Sequence, residues 1–209
     1  MKYGPDEDRI MSDGSTRRGR KDEPSLTGRL QSAMMRALAH QGYEPVRLDN
    51  LANTAGTSKQ AIYRRWSGKQ DYALATLQTA LFQIPAPTPE RTNAARDLYR
   101  LIAGYRAALH SDLGKALLQV RAFPEFRSLI FEFEDEIRFH IRQCLIATPF
   151  EQDLQAKTTL ILGLIWQDLF DLHFGRGGLD DTGLENAIYL LLGLTAPRSS
   201  MELSQLPGL

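Results

Sequence analysis

The chain has 209 residues, 43% of them hydrophobic, and its 25 basic side chains balance 25 acidic ones, so the formal net charge is zero. That apolar content is enough to bury a core and excludes disorder throughout, while the charge balance excludes a polycation that coats nucleic acid indiscriminately. A single cysteine, Cys144, excludes an internal disulfide framework and suits a reducing cytoplasm.

Residues 1–24 are rich in Gly, Asp, Ser and Arg and show no apolar period, which predicts a flexible arm. It ends in the basic run Arg17, Arg18, Arg20 and Lys21. The start of the chain is polar and acidic where an export signal would be apolar. The longest apolar stretches, such as Leu160 to Trp166, fall far short of the roughly 20 residues of a membrane-spanning helix. A soluble cytoplasmic protein with no membrane association is expected.

Apolar residues Leu26, Leu30, Ala33, Met34, Ala37 and Leu38 recur at helical spacing, with Ser25 or Thr27 as caps and Gly42 as the stop. A short second helix follows over Leu48 to Ala55 and ends at Gly56; Ser58 then caps a third, running through Ile62 to Trp66. A fourth begins near Lys69, carries Tyr72, Ala73, Leu77 and Leu81 on one face, and stops at the proline-rich stretch 84–89. The expected organisation is an arm over 1–24, a helical head over 25–83 and a larger body over 84–209.

In the body, Leu98, Leu101, Ile102, Tyr105 and Leu109 form one stripe, a shorter segment covers Leu113 to about Val120, and Pro124 opens a long helix to Leu145. Two strongly apolar segments, Leu154 to Phe174 and Leu184 to Leu194, flank the turn at 175–183. Sustained alternation of period two is missing, so the prediction is an all-α chain of about nine helices with a frayed tail from Pro197.

Two short helices joined by a glycine-containing turn make a helix-turn-helix. Ala52 is small where the helices cross, Gly56 supplies a left-handed turn, and Leu51 meets Ile62 in the wedge. The second of the two presents Ser58, Lys59, Gln60, Tyr63 and Arg64. Gln and Arg can pair bidentately with base edges, and Lys and Tyr can hold phosphate oxygens, so double-stranded DNA is the expected partner. Lys69 adds a cation at the start of the fourth helix, and the basic arm could reach a minor groove.

The ordered set Gly42-Tyr43, Leu51-Ala52, Ala55-Gly56-Thr57-Ser58, Tyr63-Arg64-Arg65-Trp66 and Lys69 resembles the DNA-binding signature of the TetR/AcrR family of bacterial transcriptional regulators. The resemblance covers roughly residues 26 to 82. Arg47 stands where that family usually has a capping Ser or Thr, which leaves the cap to Asp49 or Asn50 or makes Arg47 a further phosphate contact. Thr57 replaces the usual turn valine. The resemblance implies a ligand-responsive regulator, a repressor in the first instance, that binds a palindromic operator as a homodimer. Its last two helices, with Leu160, Leu164, Leu169, Leu190, Leu191 and Leu194 prominent, would form the four-helix dimer interface. The fourth helix would be the lever between ligand and DNA.

The resemblance also implies an effector cavity in the body. Aromatic residues there mostly serve the core, but Tyr99, Tyr105, Phe123, Phe126, Phe139, Trp166 and Phe170, with His110, His140, Gln143, Gln167 and His173 as polar anchors, are the candidates for a small hydrophobic or aromatic ligand. His140 and Cys144 are four apart, yet one pair is no metal site. The acids from Glu132 to Glu136 are expected on an exposed helix face, and Gly175 to Gly178 lacks the strand that a phosphate-cradling loop follows. Neither an enzyme signature nor a cofactor is expected. The alternatives are a helical ligand-binding protein or enzyme whose head does not touch DNA, and an activator instead of a repressor.

Overall fold

The computed structural model describes residues 25–195, and among them nine α-helices and no strand are found. They are α1 (Leu26–Gln41), α2 (Leu48–Thr54), α3 (Lys59–Tyr63), α4 (Lys69–Phe82), α5 (Ala94–Leu109), α6 (Asp112–Val120), α7 (Arg127–Leu145), α8 (Leu154–His173) and α9 (Asp181–Leu191). The all-α expectation holds, and most boundaries follow from local chemistry. Ser25 caps α1 by accepting from the Gly28 amide at 3.1 Å, Asn93 caps α5, Ser111 caps α6 and Asp180 caps α9; each satisfies an amide that the helix itself leaves open.

Three boundaries differ from the sequence reading. Neither Asp49 nor Asn50 replaces the missing cap of α2: Arg47 sits at the cap position without a side-chain bond, and Asp49 accepts from Lys59 Nζ at 3.1 Å instead. The third helix closes at Tyr63, and residues 64–66 continue as a tight turn whose amides point back to Gln60 and Ile62 carbonyls. Trp66 then leaves the helix to stack on Tyr72, ring centres 4.1 Å apart. Pro124 opens a short 3₁₀ turn, Pro124–Phe126, and α7 begins only at Arg127.

One continuous apolar core runs through the described residues. Leu30, Met34 and Leu38 of α1 meet Leu51, Ile62, Tyr72 and Leu77 at one end. Burial of such side chains contributes about 1.5–3 kcal/mol each. At the other end α5 is surrounded by α6, α7, α8 and α9. The two ends are joined chiefly by α1 against α6, with α4 touching α6 and α7 more lightly. Tyr43 strengthens this joint, its ring lying edge-on to Phe123 and Phe126 at 5.3 and 4.8 Å.

The body helices close up where a side chain is missing. A Cβ on Gly114 of α6 would stand 1.9 Å from the Leu109 carbonyl oxygen and 2.6 Å from Leu169 Cδ1. Gly114→Ala is therefore expected to lower stability by about 2–3 kcal/mol, read from urea unfolding at fixed protein concentration. Gly104→Ala, whose new carbon meets only ordinary contact 3.7 Å from the Pro85 carbonyl, should instead gain about 0.5–1 kcal/mol from helix propensity.

Candidate nucleic-acid interface

The geometry of the interface starts at one glycine. Gly56 adopts φ +65°, a region that costs a residue with a Cβ but not glycine, and the chain reverses so that the Thr57 amide donates to the Ala52 carbonyl at 2.9 Å. Arg29 of α1 fixes the same turn, its Nε donating to the Ala55 carbonyl at 3.3 Å. Ala61 and Ile62 face inward and are buried. The opposite side of α3 consequently points outward: Lys59, Gln60 and Arg64 are exposed and Tyr63 is 52% exposed.

The predicted cations separate into two kinds. Among the described residues the Arg64 side chain has no protein partner, while Lys59 is held by the exposed carboxylate of Asp49, an ion pair open to solvent and weak enough to exchange for a phosphate. Lys69 is differently placed from the expectation. Its ammonium donates to the Tyr43 and Glu44 carbonyls at 3.2 Å each and lies 4.3 Å over the Tyr43 ring, so it ties the chain after α1 to the start of α4. Arg65 is likewise structural, bonded to Thr27 Oγ1 and the Ala61 carbonyl. Ser58 stands at the cap of α3, exposed and with no cap bond; Thr57 is half-buried in the turn.

Arg47 is exposed and faces Arg36 and His40 across a shallow hollow between α1 and α2. Sequence reading missed Arg36, which helical spacing along α1 marks as lying outside the apolar stripe but does not bring beside Arg47. Arg17, Arg18, Arg20 and Lys21 lie outside the described residues. The arrangement offers a protruding helix of hydrogen-bonding side chains, flanked by cations, that is narrow enough to enter a major groove about 12 Å wide.

The candidate ligand residues do not converge on one cavity, and His110 lies 3.0 Å from Asp168 instead. Phe126 is fully buried and Phe123 packs beside it against Tyr43, so both belong to the joint between α1 and the body. Trp166 is a core residue: its Nε1 donates to Glu134 at 2.9 Å and Arg121 lies 4.1 Å over its ring. Glu134 corrects the expectation of an exposed acidic face, because it turns inward between Trp166, Arg121 and Arg138 while Glu132, Asp135 and Glu136 stay outside. Phe170 stacks on Phe174 at the surface of α8, and Gln167 is exposed beside them, bonded to Asp171. His173 faces the Leu109 carbonyl, and Tyr99 is half-buried against the core.

Tyr105, His140, Phe139 and Gln143 do gather. Tyr105 Oη lies 2.8 Å from His140 Nδ1, and Phe139, His140 and Gln143 line a hollow of about 250 Å³ beneath residues 86–91. Cys144 takes no part: burial first, and the charge of Asp97 second, push its pKa up to about 12. Among the described residues no helix is long and apolar enough to cross a membrane.

Comparison with known proteins agrees with this architecture. Residues 31–76 match the family described as bacterial regulatory proteins, tetR family. An uncharacterised HTH-type transcriptional regulator of Mycobacterium tuberculosis is 35% identical over 72 residues, 34% of this chain; the matched part spans 35% of that relative's length. Among solved structures, a transcriptional regulator from Rhodococcus sp. superposes with a TM-score of 0.67 at 18% identity, covering 81% of this chain and 95% of its own. The fatty acid degradation regulator FadR from Bacillus halodurans gives 0.60 at 15% identity over 83% and 97% of the two chains. A TetR-family regulator from Streptomyces coelicolor gives 0.58 at 18% over 82% and 88%. The solved structures share the fold.

Proposed function

Since this chain belongs to the tetR family of bacterial regulatory proteins through its N-terminal helices, we propose that it regulates transcription, binding a palindromic operator as a homodimer and repressing until a small effector releases it. The observation that carries this reading is the outward face of α3, where Gln60, Tyr63 and Arg64 stand exposed above a turn built at Gly56. Residues 25–83 act as the DNA-binding head and 84–209 as the body that pairs and senses, with the arm over 1–24 as an added contact. Gln60 and Arg64 read base edges, Tyr63, Lys59, Ser58 and Thr57 hold phosphate oxygens, and Arg47 adds a flanking cation. Lys69 acts at one remove, through the backbone that it fastens.

One α3 contacts few base pairs, and a symmetric pair reading half-sites about 34–36 Å apart supplies the missing selectivity. An apolar stripe on α8 and α9 supports such pairing. Leu160 is 59% and Leu190 80% exposed, with Phe170, Phe174 and Leu194 also outward; a patch of that kind marks an interaction face. Leu169, expected there, is 1% exposed and belongs to the core. The double variant Leu160→Asp, Leu190→Asp should sediment as a monomer and lose at least about 100-fold in DNA affinity, because linked heads bind far more tightly than separate ones; a variant that stays dimeric would remove this face from the proposal.

Coupling between body and head runs mainly through α1 and α6, with α4 as a second strut, since α1 packs more extensively on the body than α4 does. An effector releases DNA only by its differential affinity for the two head spacings. The protein works in the cytoplasm, as an operator-binding regulator must.

A further inference from the structure

Deepening the effector reading and resting on it, we propose that the hollow between the α4–α5 connection and the C-terminal half of α7 is a binding site for a single-ring aromatic carboxylate of the benzoate type. The backbone of this connection is unusual. Arg91 has φ +63°, a region that residues with a Cβ seldom adopt. It is held there by Asp97, buried in the first turn of α5, whose carboxylate accepts the Glu90 amide at 3.0 Å and the Arg91 amide at 2.8 Å. Strained turns of this kind concentrate where a side chain must be aimed. The turn points Arg91 at the same hollow that Phe139, His140 and Gln143 line.

The charge at that place is available. Glu90, next in sequence, is engaged by Arg100, and among the described residues the Arg91 guanidinium has no protein partner. A guanidinium with its fork of donors matches a carboxylate bidentately. His140 supplies a second polar group. Tyr105 is buried, and burial raises its pKa so that the phenol keeps its proton; its Oη lies 2.8 Å from His140 Nδ1, a hydrogen bond that fixes the imidazole at the wall of the hollow. Gln143, one turn further along α7, brings an amide to the same wall.

Apolar surface decides the rest of the ligand. Phe139 is 56% exposed and stands edge-on to His140 with ring centres 5.5 Å apart, while Pro87 and Pro89 form the facing side. A ring can lie between them with its carboxylate toward Arg91. The volume of about 250 Å³ is below the roughly 300–1,000 Å³ of sites that take drug-sized molecules, a size that suits one ring.

Calorimetric titration of the full chain with benzoate, benzamide and acetate tests the assignment. Benzoate should bind at least about 10-fold more tightly than its neutral isostere benzamide, acetate should give no measurable heat, and the His140 ring resonances should shift on benzoate addition. Arg91→Gly, which relieves the positive φ and keeps the turn, should abolish the preference for benzoate over benzamide; Phe139→Ala should weaken both ring ligands. Equal binding of benzoate and benzamide, undiminished benzoate affinity in Arg91→Gly, or no binding of either would overturn the site. Anisotropy of a labelled bound DNA fragment separates the two readings. Benzoate that binds through Arg91 and leaves DNA affinity unchanged preserves the site and removes its effector role, whereas DNA release by another compound with no benzoate binding removes the site and preserves the regulator.

Discussion

Asp168→Ala should cost about 3–5 kcal/mol of folding stability, the usual penalty for stranding a buried partner charge, against a total of about 5–15 kcal/mol for a typical domain. The carboxylate, 2% exposed, accepts from Arg106 Nε at 2.8 Å, lies 3.0 Å from His110 Nε2, and receives the Leu179 amide at 2.6 Å. Arg106 reaches on to the Leu179 carbonyl, so one ionic cluster clamps the α8–α9 turn onto α5. Gly178 belongs to the same device: a Cβ there would stand 2.7 Å from Asp168 Oδ1. Removing the carboxylate leaves the buried Arg106 cation with only the exposed Asp181 carboxylate, 3.9 Å away, whereas the double change Arg106→Met, Asp168→Leu should recover much of the loss. Urea unfolding at one protein concentration reads both.

The same cluster sets a pH dependence. Burial alone would raise the pKa of Asp168 and is the largest single influence, but the hydrogen bonds from Arg106, His110 and the Leu179 amide, with the Arg106 charge, together outweigh it and hold the pKa below the ordinary carboxylate range. A carboxylate whose folded pKa lies below its unfolded value of about 3.9 stabilises the fold fully above that value and loses the contribution as pH falls through the folded one. Wild-type stability should therefore drop below about pH 4 more steeply than that of the double variant.

On the DNA side, the double change Tyr63→Ala, Arg64→Ala should reduce affinity by at least about 100-fold, since each base or phosphate interaction removed is worth about 1–3 kcal/mol and a dimer forfeits each twice. Both side chains are exposed, so thermal stability should move by no more than about 0.5 kcal/mol. Lys59→Ala should act differently. It weakens binding to every sequence and lowers the slope of log affinity against log salt by about 0.9 for each phosphate left without its cation, while Gln60→Ala changes which sequence is preferred. Competition binding at two salt concentrations separates the three outcomes, and equal salt slopes for wild type and Lys59→Ala would remove Lys59 from the phosphate-binding set.

The helices were legible because their information is local. Apolar spacing, the cap at Ser25 and the glycine at 56 act within a few residues of themselves; the caps at Asn93, Ser111 and Asp180 are equally local, but the sequence reading passes over them. What the sequence concealed depends on distant partners. Lys69 reads as a phosphate-binding cation until the Tyr43 and Glu44 carbonyls come beneath it. Glu134 reads as one more acid of an exposed run until Trp166 and two arginines surround it. Periodicity places an aromatic ring on a face but does not distinguish core from cavity, which is why Phe126 and Trp166 read as ligand candidates. The α1–α6 joint and the Asp97-held turn at Arg91 are likewise products of tertiary packing.

The central claim, that paired α3 helices read duplex DNA, is tested most directly by selecting genomic DNA fragments on the purified full-length protein and sequencing those retained. The account predicts a small set of enriched fragments sharing an inverted repeat, with half-sites about one helical turn apart, and no enrichment by Tyr63→Ala, Arg64→Ala protein. Retention without a shared repeat, or equal enrichment by the variant, would contradict it.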